Sequence, residues 1–145
     1  MDKVKGIWIR REGCIWSAEV TEMSFDEFAK KLSAFAEEEG GFACPYIVTR
    51  HVKGHQVDIW YDENFLSYQP VPSAVCTKPA GQEVLMGMLF ITGGDDDTGN
   101  SVSLPDDVIK DIMTQYHVPT METIRPWGGS LGMYMLGFKL IHYEV

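Results

Sequence analysis

Three consecutive aspartates, Asp95, Asp96 and Asp97, have the side chains that hard cations bind. A calcium loop of the EF-hand type needs acidic or amide residues at alternating positions, a glycine at position six and a glutamate at position twelve. Counted from Asp95, glycine falls at position five and position twelve is Asp106, so the register does not match. The run therefore predicts a solvated acidic turn, and we expect neither a metal ion nor another cofactor.

The histidines and cysteines lack the spacing of a metal site or a disulfide framework. His51 and His55 flank a predicted hairpin turn, so they do not share a helix face, and no third ligand follows at a suitable spacing. We interpret these two, together with His117 and His142, as structural or incidental. The three cysteines are Cys14, Cys44 and Cys76, with no C-x-x-C pair. We expect them to be small buried hydrophobic side chains in a reducing compartment.

The chain contains no sequence motif of a catalytic nucleophile. G-x-S-x-G, the P-loop lysine and H-E-x-x-H are all absent. Cys14 and His51 are of the types that pair in thiol enzymes, but their sequence context gives that pairing no support. The sequence thus predicts no catalytic residue and a protein that is not an enzyme, with an uncharacterised enzyme as the last alternative.

One segment combines a base, an aromatic ring and three glycines, Arg125-Pro126-Trp127-Gly128-Gly129-Ser130-Leu131-Gly132. Glycines let backbone N–H groups approach a ligand, an arginine pairs with an anion and a tryptophan stacks on a ring. Arg125, Trp127, Gly128, Gly129 and Ser130 are therefore candidate residues for a nucleotide-like ligand. The other interpretation is a connecting loop in which Trp127 packs back onto the core.

The net charge of −9 is concentrated in two segments. One lies within residues 19–39 and ends in Glu37, Glu38 and Glu39; the other, residues 93–107, contains Asp95, Asp96 and Asp97 and no base. Surplus negative charge repels phosphate backbones, so we expect no direct binding of nucleic acid. These six residues are candidates for docking on a basic partner, with solubility as the other explanation. We find no local structural reason for the three aspartates.

Hydrophobic patterning predicts a single α+β domain over residues 1–145, with a mostly antiparallel sheet and two helices packed on one face of it. Ser24 and Glu27 form a capping box, so a helix is predicted over residues 24–39, where Gly40-Gly41 ends it. Two hairpins surround this helix, the first from residues 4–10 and 14–22, the second from residues 46–52 and 56–61.

The second half of the chain is predicted to add two strands and one helix. Residues 62–81 contain three prolines and predict an irregular excursion, and Val84–Thr92 predicts one central strand. A second helix is predicted with Ser103 as its N-cap and Pro105 in its first turn. Met133–Tyr143 is expected to be the last strand. The element order is therefore β-β-α-β-β-loop-β-α-β.

No apolar run approaches the length of about 20 residues that a membrane span needs, and the N-terminal residues lack the apolar stretch of a signal peptide. We therefore expect a cytoplasmic protein with no membrane partner. Whether the chain forms a homo-oligomer stays open.

The run Gly87-Met88-Leu89-Phe90-Ile91-Thr92-Gly93, the acidic turn and Ser103-Leu104-Pro105-Asp106-Asp107 resemble a domain family of unknown function. That family occurs mainly in small proteins of phages and bacterial mobile elements. Its upstream part, a strand, a helix, a Gly-Gly break and a strand followed by Asp-Glu, is similar to residues 4–10, 24–41 and 60–63 here. The resemblance extends over about residues 1–116 and implies a phage or mobile-element origin, without a reaction.

These observations predict a non-catalytic, acidic binding protein. The specific hypothesis is an inhibitor of a host defence or nucleic-acid-handling protein, in which the acidic segments contact a basic surface of that partner. The alternative is a protein that binds or sequesters a nucleotide-like small molecule through residues 125–132.

Overall fold

The computed structural model describes residues 2–12, 15–64, 72–78, 81–95, 97–115, 124–127, 133–136 and 141–142. The elements are β1 (Val4–Glu12), β2 (Ile15–Met23), α1 (Phe25–Glu38), β3 (Pro45–Val52), β4 (His55–Asp62), β5 (Pro72–Lys78), β6 (Gly81–Met86), β7 (Leu89–Gly94), β8 (Ser101–Val102), α2 (Asp106–Gln115), β9 (Ile124–Trp127), β10 (Met133–Leu136) and β11 (Ile141–His142). In the described part of the chain, neither helix is long and apolar enough to cross a membrane.

The main sheet has six antiparallel strands in the order β2-β1-β7-β4-β3, and β8 pairs with the end of β7. The predicted α+β class is confirmed, as is the predicted order of elements as far as β4. Between β4 and α2 the described residues form four strands, β5 to β8, where a loop and one strand were predicted. Two hairpins, β1–β2 and β3–β4, are joined through β7. The second hairpin closes through Lys53 and Gly54, whose φ angles of 50° and 78° match the primed turns that suit twisted strands.

Helix α1 begins and ends as its sequence predicts. The backbone N–H of Glu27 donates to the Ser24 hydroxyl at 3.2 Å, which satisfies one of the free donors of the first turn. At the other end the N–H of Gly41 donates to the Ala36 carbonyl at 2.9 Å and that of Gly40 to the Glu37 carbonyl at 3.1 Å. Gly40 has φ of 85°, so this end is a Schellman motif that favours glycine.

Helix α2 begins at Asp106, so the prediction that Ser103 caps it is wrong. The Ser103 hydroxyl instead accepts a hydrogen bond from the backbone N–H of Lys5 at 3.0 Å. The N–H of Leu104 donates to the Lys5 carbonyl at 2.9 Å. The segment before α2 is therefore held to the start of β1, and the helix follows only after Pro105.

The helices lie on opposite faces of the sheet, which corrects the expectation that both cover one face. Trp8, Phe90 and Trp60 are neighbours in register on one face, and the rings of α1 pack on Trp60. Lys5 lies on the other face, two positions before Ile7, and its ammonium contacts Asp106 of α2 at 2.8 Å. Both faces are therefore buried, with the core built from Ile7, Ile9, Phe28, Leu32, Ile59, Trp60, Leu89, Phe90, Ile91, Leu104, Val108 and Ile112 among others.

Three other expectations about strands are wrong. The predicted single strand Val84–Thr92 is divided at Gly87, whose φ of 82° breaks the extended backbone, so β6 and β7 belong to different sheets. Residues 62–81 are not wholly irregular, because they contain β5, which pairs with β6 and β11. The predicted last strand is two short strands: β10 pairs with β9, and β11 pairs with β5.

Candidate functional site

A groove of about 720 Å³ opens on the face of the sheet that α1 covers, where β8 and the turn before it meet the starts of β1 and α1. We call it the acid-rimmed groove. Its lining residues come from distant parts of the sequence: Asp2, Val4, Phe25, Ile47, Trp60, Asp95, Thr98, Gly99, Asn100, Ser101, Val102 and Ser103. Pockets that hold ligands commonly measure roughly 300–1,000 Å³, so the groove is large enough for one or two side chains of a partner.

Aromatic rings support the floor of the groove. Trp60 packs edge-to-face with Phe25, Phe28 and Phe90, with ring centroids 5.2, 5.7 and 5.0 Å apart. Trp60 itself is buried, whereas Phe25 and Ile47 are half-buried and Val102 is exposed. The floor therefore offers apolar surface on a rigid base.

A buried carboxylate fixes β8 beside this floor. Asp58 is only 3% exposed and accepts hydrogen bonds from the hydroxyl of Ser101 at 2.8 Å and the hydroxyl of Thr49 at 3.0 Å. The Ser101 hydroxyl in turn accepts from the indole N–H of Trp60 at 3.1 Å. Gly94 lies against Asp58, and a Cβ there would collide with the side chains of Asp58 and Gln56. The groove wall thus depends on a hydrogen-bonded chain and on a glycine.

Sequence reasoning missed Asp58, because Asp58 and Trp60 alternate with Val57, Ile59 and Tyr61, a pattern that predicts a strand buried on one face only. The observed strand is buried on both faces, since Asp58 and Trp60 are covered as fully as Val57 and Ile59. The available signal was the tryptophan two residues after the aspartate, on the same face of the strand. A second buried carboxylate, Asp62, was also missed.

Asp62 organises the start of β3. It is fully buried, and its carboxylate accepts from the backbone N–H groups of Cys44 and Asn64, both at 2.8 Å. Cys44 is itself exposed, so the expectation of three buried cysteines is wrong at this position. The residue lies in the segment before β3, where its backbone contacts Asp62. Cys14 lies outside the described residues, as does the side chain of Cys76.

Asp95 and Asp97 lie in the turn beside the groove, and the structure gives Asp95 a local role that the sequence did not indicate. Its carboxylate accepts the backbone N–H of Asp97 at 2.9 Å, and its own N–H donates to the Asn100 carbonyl at 2.9 Å. Asp95 is half-buried and Asp97 is exposed. Asp96 lies outside the described residues. Asp95 is thus a predicted site residue that lines the groove. Asp2 also lines it, but sequence reasoning missed that residue.

The structure does not bring the two predicted acidic clusters together. Glu38 lines a second groove with Trp8 and Met88, and Met88 immediately precedes β7. Asp95 immediately follows the other end of the same strand. Glu37 is exposed, whereas Glu39 is the half-buried C-cap residue of α1. A single partner contact is therefore centred on one cluster or on the other.

Two acids near the acid-rimmed groove already pair with lysines. The Lys3 ammonium lies 3.2 Å from the Glu27 carboxylate, and the Lys5 ammonium lies 2.8 Å from that of Asp106. The hydrogen bond from Lys5, together with its positive charge, lowers the pKa of the Asp106 carboxyl. The hydrogen bond from Lys3 likewise lowers the pKa of Glu27. These two carboxylates are partly neutralised by their own lysines, whereas Asp2 and Asp95 at the groove have no such ion pair among the described residues.

The second groove, of about 330 Å³, contains Trp8 and has side chains of both charge signs in its lining. The guanidinium carbon of Arg10 lies 4.6 Å from the Trp8 ring centroid, and the Lys31 ammonium lies 5.0 Å from it. Arg10 also approaches the Glu19 carboxylate at 3.5 Å. We call this the Trp8 groove. Its aromatic ring has two cations of the protein itself within cation–π distance.

The remaining predicted site residues do not form a site within the described residues. No group of three or more His, Cys, Asp or Glu side chains there could hold a metal ion. His51 is exposed, and His55 lies 4.0 Å from Asp107. Arg125 and Trp127 belong to β9, which pairs with β10, so they are not in the predicted loop. Gly128, Gly129, Ser130 and His117 lie outside the described residues, as does the side chain of His142.

Comparison with known proteins identifies a family but supplies no activity. The model of a family described as a domain of unknown function (DUF3846) matches residues 21–117, about two thirds of the 145 residues. This confirms the resemblance to a family of unknown function, although β1, which pairs with both β2 and β7, lies outside the match. No curated protein and no solved structure matches the chain. The chain belongs to the DUF3846 family.

Proposed function

We propose that this protein is a non-catalytic binding protein that docks on a basic surface of another protein. One observation carries the proposal: the acid-rimmed groove has an apolar floor and a carboxylate rim, and none of the twelve described residues that line it is a lysine or an arginine. Protein interfaces commonly bury apolar area at the centre and match charge at the rim. The partner surface that fits this groove is convex, partly apolar and positively charged.

The charge of the whole chain supports a partner that handles nucleic acid. Surfaces that bind DNA or RNA are rich in lysine and arginine, because these side chains neutralise phosphates. A protein of net charge −9 that covers such a surface competes with the nucleic acid for it. Together with the resemblance to proteins of phages and mobile elements, this supports an inhibitor of a host defence or nucleic-acid-handling protein.

The test has two steps. The tagged protein is incubated with a bacterial host lysate at about 0.1 M and at about 1 M salt, where the screening lengths are about 10 and 3 Å. We expect a partner to be captured at the lower salt concentration and released at the higher one. The purified partner is then bound to labelled DNA or RNA, and we expect this protein to displace the nucleic acid.

A pair of matched variants locates the contact. Asp2→Asn/Asp95→Asn removes two carboxylates from the groove, and Glu37→Gln/Glu38→Gln removes two from the far end of α1, so each changes the net charge equally. Only the first should weaken capture and displacement. Capture that is insensitive to salt, or a partner that keeps its nucleic acid, contradicts the proposal. Thermal stabilisation by one member of a nucleotide panel, without any protein partner, would favour the small-molecule alternative.

A further inference from the structure

We infer that the acid-rimmed groove receives an arginine side chain from an extended segment of the partner protein. The inference rests on the proposed function and names the contact that the partner makes. Three features of the groove carry it: the apolar floor, the set of hydrogen-bond acceptors at its rim, and a similar arrangement that the protein already makes with its own arginine.

The floor fits the aliphatic part of an arginine. Val4, Phe25 and Ile47 are half-buried, and Val102 is 38% exposed, so each leaves apolar surface at the groove. Arginine covers such surface with its methylene groups while its charged end reaches outward. A short apolar side chain would fill the floor but leave the carboxylates at the rim without a partner.

The rim fits the guanidinium end. Asp2, Asp95 and Asn100 line the groove and supply acceptor oxygens. Within the described part of the chain, the N–H of Asp97 is the one donor to the Asp95 carboxylate, and it bonds Oδ1. A guanidinium presents five N–H donors in a planar fork, so it can bond two acceptors at once, whereas a lysine ammonium acts as a point charge. A rim with several acceptors therefore favours arginine over lysine.

The Trp8 groove contains the same chemistry within the protein. There a guanidinium lies 4.6 Å from an aromatic ring centroid and 3.5 Å from the carboxylate of Glu19. In the acid-rimmed groove the aromatic ring of Phe25 and the carboxylates are present, and the lining residues that the structure describes include no cation. An arginine from the partner completes the corresponding arrangement.

The test uses three blocked pentapeptides, Gly-Leu-X-Leu-Gly, in which X is arginine, lysine or citrulline. Citrulline keeps the shape of arginine but has no charge. Each peptide is titrated into the full-length ¹⁵N-labelled protein, and amide shifts of Phe25, Ser101 and Val102 report on the groove. We expect arginine to bind at least about tenfold more tightly than citrulline, with lysine between them. Asp2→Asn/Asp95→Asn should weaken the arginine peptide by about tenfold, and Glu37→Gln/Glu38→Gln by less than about twofold.

Every outcome decides the inference. Affinity for lysine or citrulline that equals that for arginine, shifts centred on α1 residues 37–38, or no binding of the arginine peptide each overturns it. Asparagine at position 95 keeps an oxygen that can accept the Asp97 N–H, and an unchanged unfolding curve verifies that the groove variant is folded. The arginine peptide could fail to bind while the captured partner is still released at high salt and still loses its nucleic acid to this protein. In that case the proposed function stands and only the arginine contact is wrong.

Discussion

The two grooves lie on the same face of the sheet and differ in how their aromatic rings are surrounded. Trp8 of β1 and Trp60 of β4 each pair with Phe90 of β7, which lies between them in the sheet, and both tryptophans lie under α1. Trp8 is half-buried, and Arg10 and Lys31 of the protein itself lie within 5.0 Å of its ring centroid. Trp60 is buried among phenylalanines, with carboxylates at the rim above it.

We propose that this difference separates a surface whose charges are paired within the protein from one that takes its opposite charge from a partner. Around Trp8 the charges are of both signs, because Arg10, Lys31, Glu19 and Glu38 lie close together. The acid-rimmed groove carries one sign of charge over a rigid base that the protein has stabilised with buried hydrogen bonds. The four predictions that follow test whether the two regions differ in this way.

The largest expected effect is on the aromatic floor. Trp60→Ala should lower the free energy of unfolding by about 3–5 kcal/mol, because it removes a buried ring with three aromatic neighbours and leaves a cavity. Trp8→Ala should cost less, about 1–2 kcal/mol, since that ring is only half-buried at the edge of the core and part of it faces the cations of Arg10 and Lys31. Urea unfolding of both variants measures the difference. Equal losses would mean that the two rings are supported alike.

The next effect is on the buried carboxylate that holds β8. Asp58→Ala should destabilise the protein by about 1–3 kcal/mol, because Asp58 is buried and the hydroxyls of Thr49 and Ser101 lose their shared acceptor. Ser101→Ala, which removes one member of the chain, should cost about 1 kcal/mol. The amide shifts of Val102 should move in both variants, since β8 loses its anchor. An unchanged stability for Asp58→Ala would remove the structural role assigned to this residue.

The two ends of α1 supply a smaller and more balanced comparison. Ser24→Ala should cost about 0.5–2 kcal/mol, because the Glu27 N–H loses its acceptor at the groove end of the helix. Gly40→Ala, at the other end, should cost about 1 kcal/mol, because alanine is strained at a φ of 85°. Ser33→Ala, in the middle of α1, is the control and should be nearly neutral. If both end variants melt like the wild type, the helix limits described above are wrong.

Local sequence signals predicted α1 well, because capping and termination depend on residues within one turn of each other. The two hairpins could be predicted for the same reason, since the alternation of a strand and a short turn that contains glycine are also local signals. The division at Gly87 was missed because a strand pattern does not reveal a positive φ at one glycine. Ser103 was misassigned because its hydroxyl bonds Lys5, which is 98 residues away in the chain.

The acid-rimmed groove could be predicted only in part. Its acidic turn is visible as a run of aspartates, but its floor combines β1, α1, β3 and β4 with residues 98–103. Asp58 and Ser101 are 43 residues apart, and no local pattern marks them as partners. Asp2 was overlooked because it lies close to the chain start, where sequence gives no periodicity to interpret. Long-range pairing of strands brings these residues together.

The smallest expected effect is the pH dependence contributed by Asp106. Its carboxyl is exposed, and the hydrogen bond and charge of Lys5 lower its pKa below the ordinary value of about 3.9. A group whose pKa is lower in the folded than in the unfolded state stabilises the fold above the unfolded pKa. That contribution is lost as the pH falls through the folded pKa. The ion pair should therefore stabilise the protein near neutral pH and stop doing so in acid. Asp106→Asn should reduce stability slightly at pH 7, and the difference from the wild type should shrink on acidification and vanish once the carboxyl is protonated in the folded state too. Lys5→Met should have the same pH dependence, because it removes the other half of the pair. Urea unfolding at several pH values and at low salt measures both.

Asp97→Asn, in the turn beside the groove, is the contrasting variant. Its carboxylate belongs to the acidic surface, so we expect neutralisation to leave stability unchanged or to raise it slightly by relieving repulsion. A loss of stability in Asp97→Asn equal to that in Asp106→Asn would mean that the two carboxylates play the same structural part, and the distinction between paired and partner-facing acids would fail.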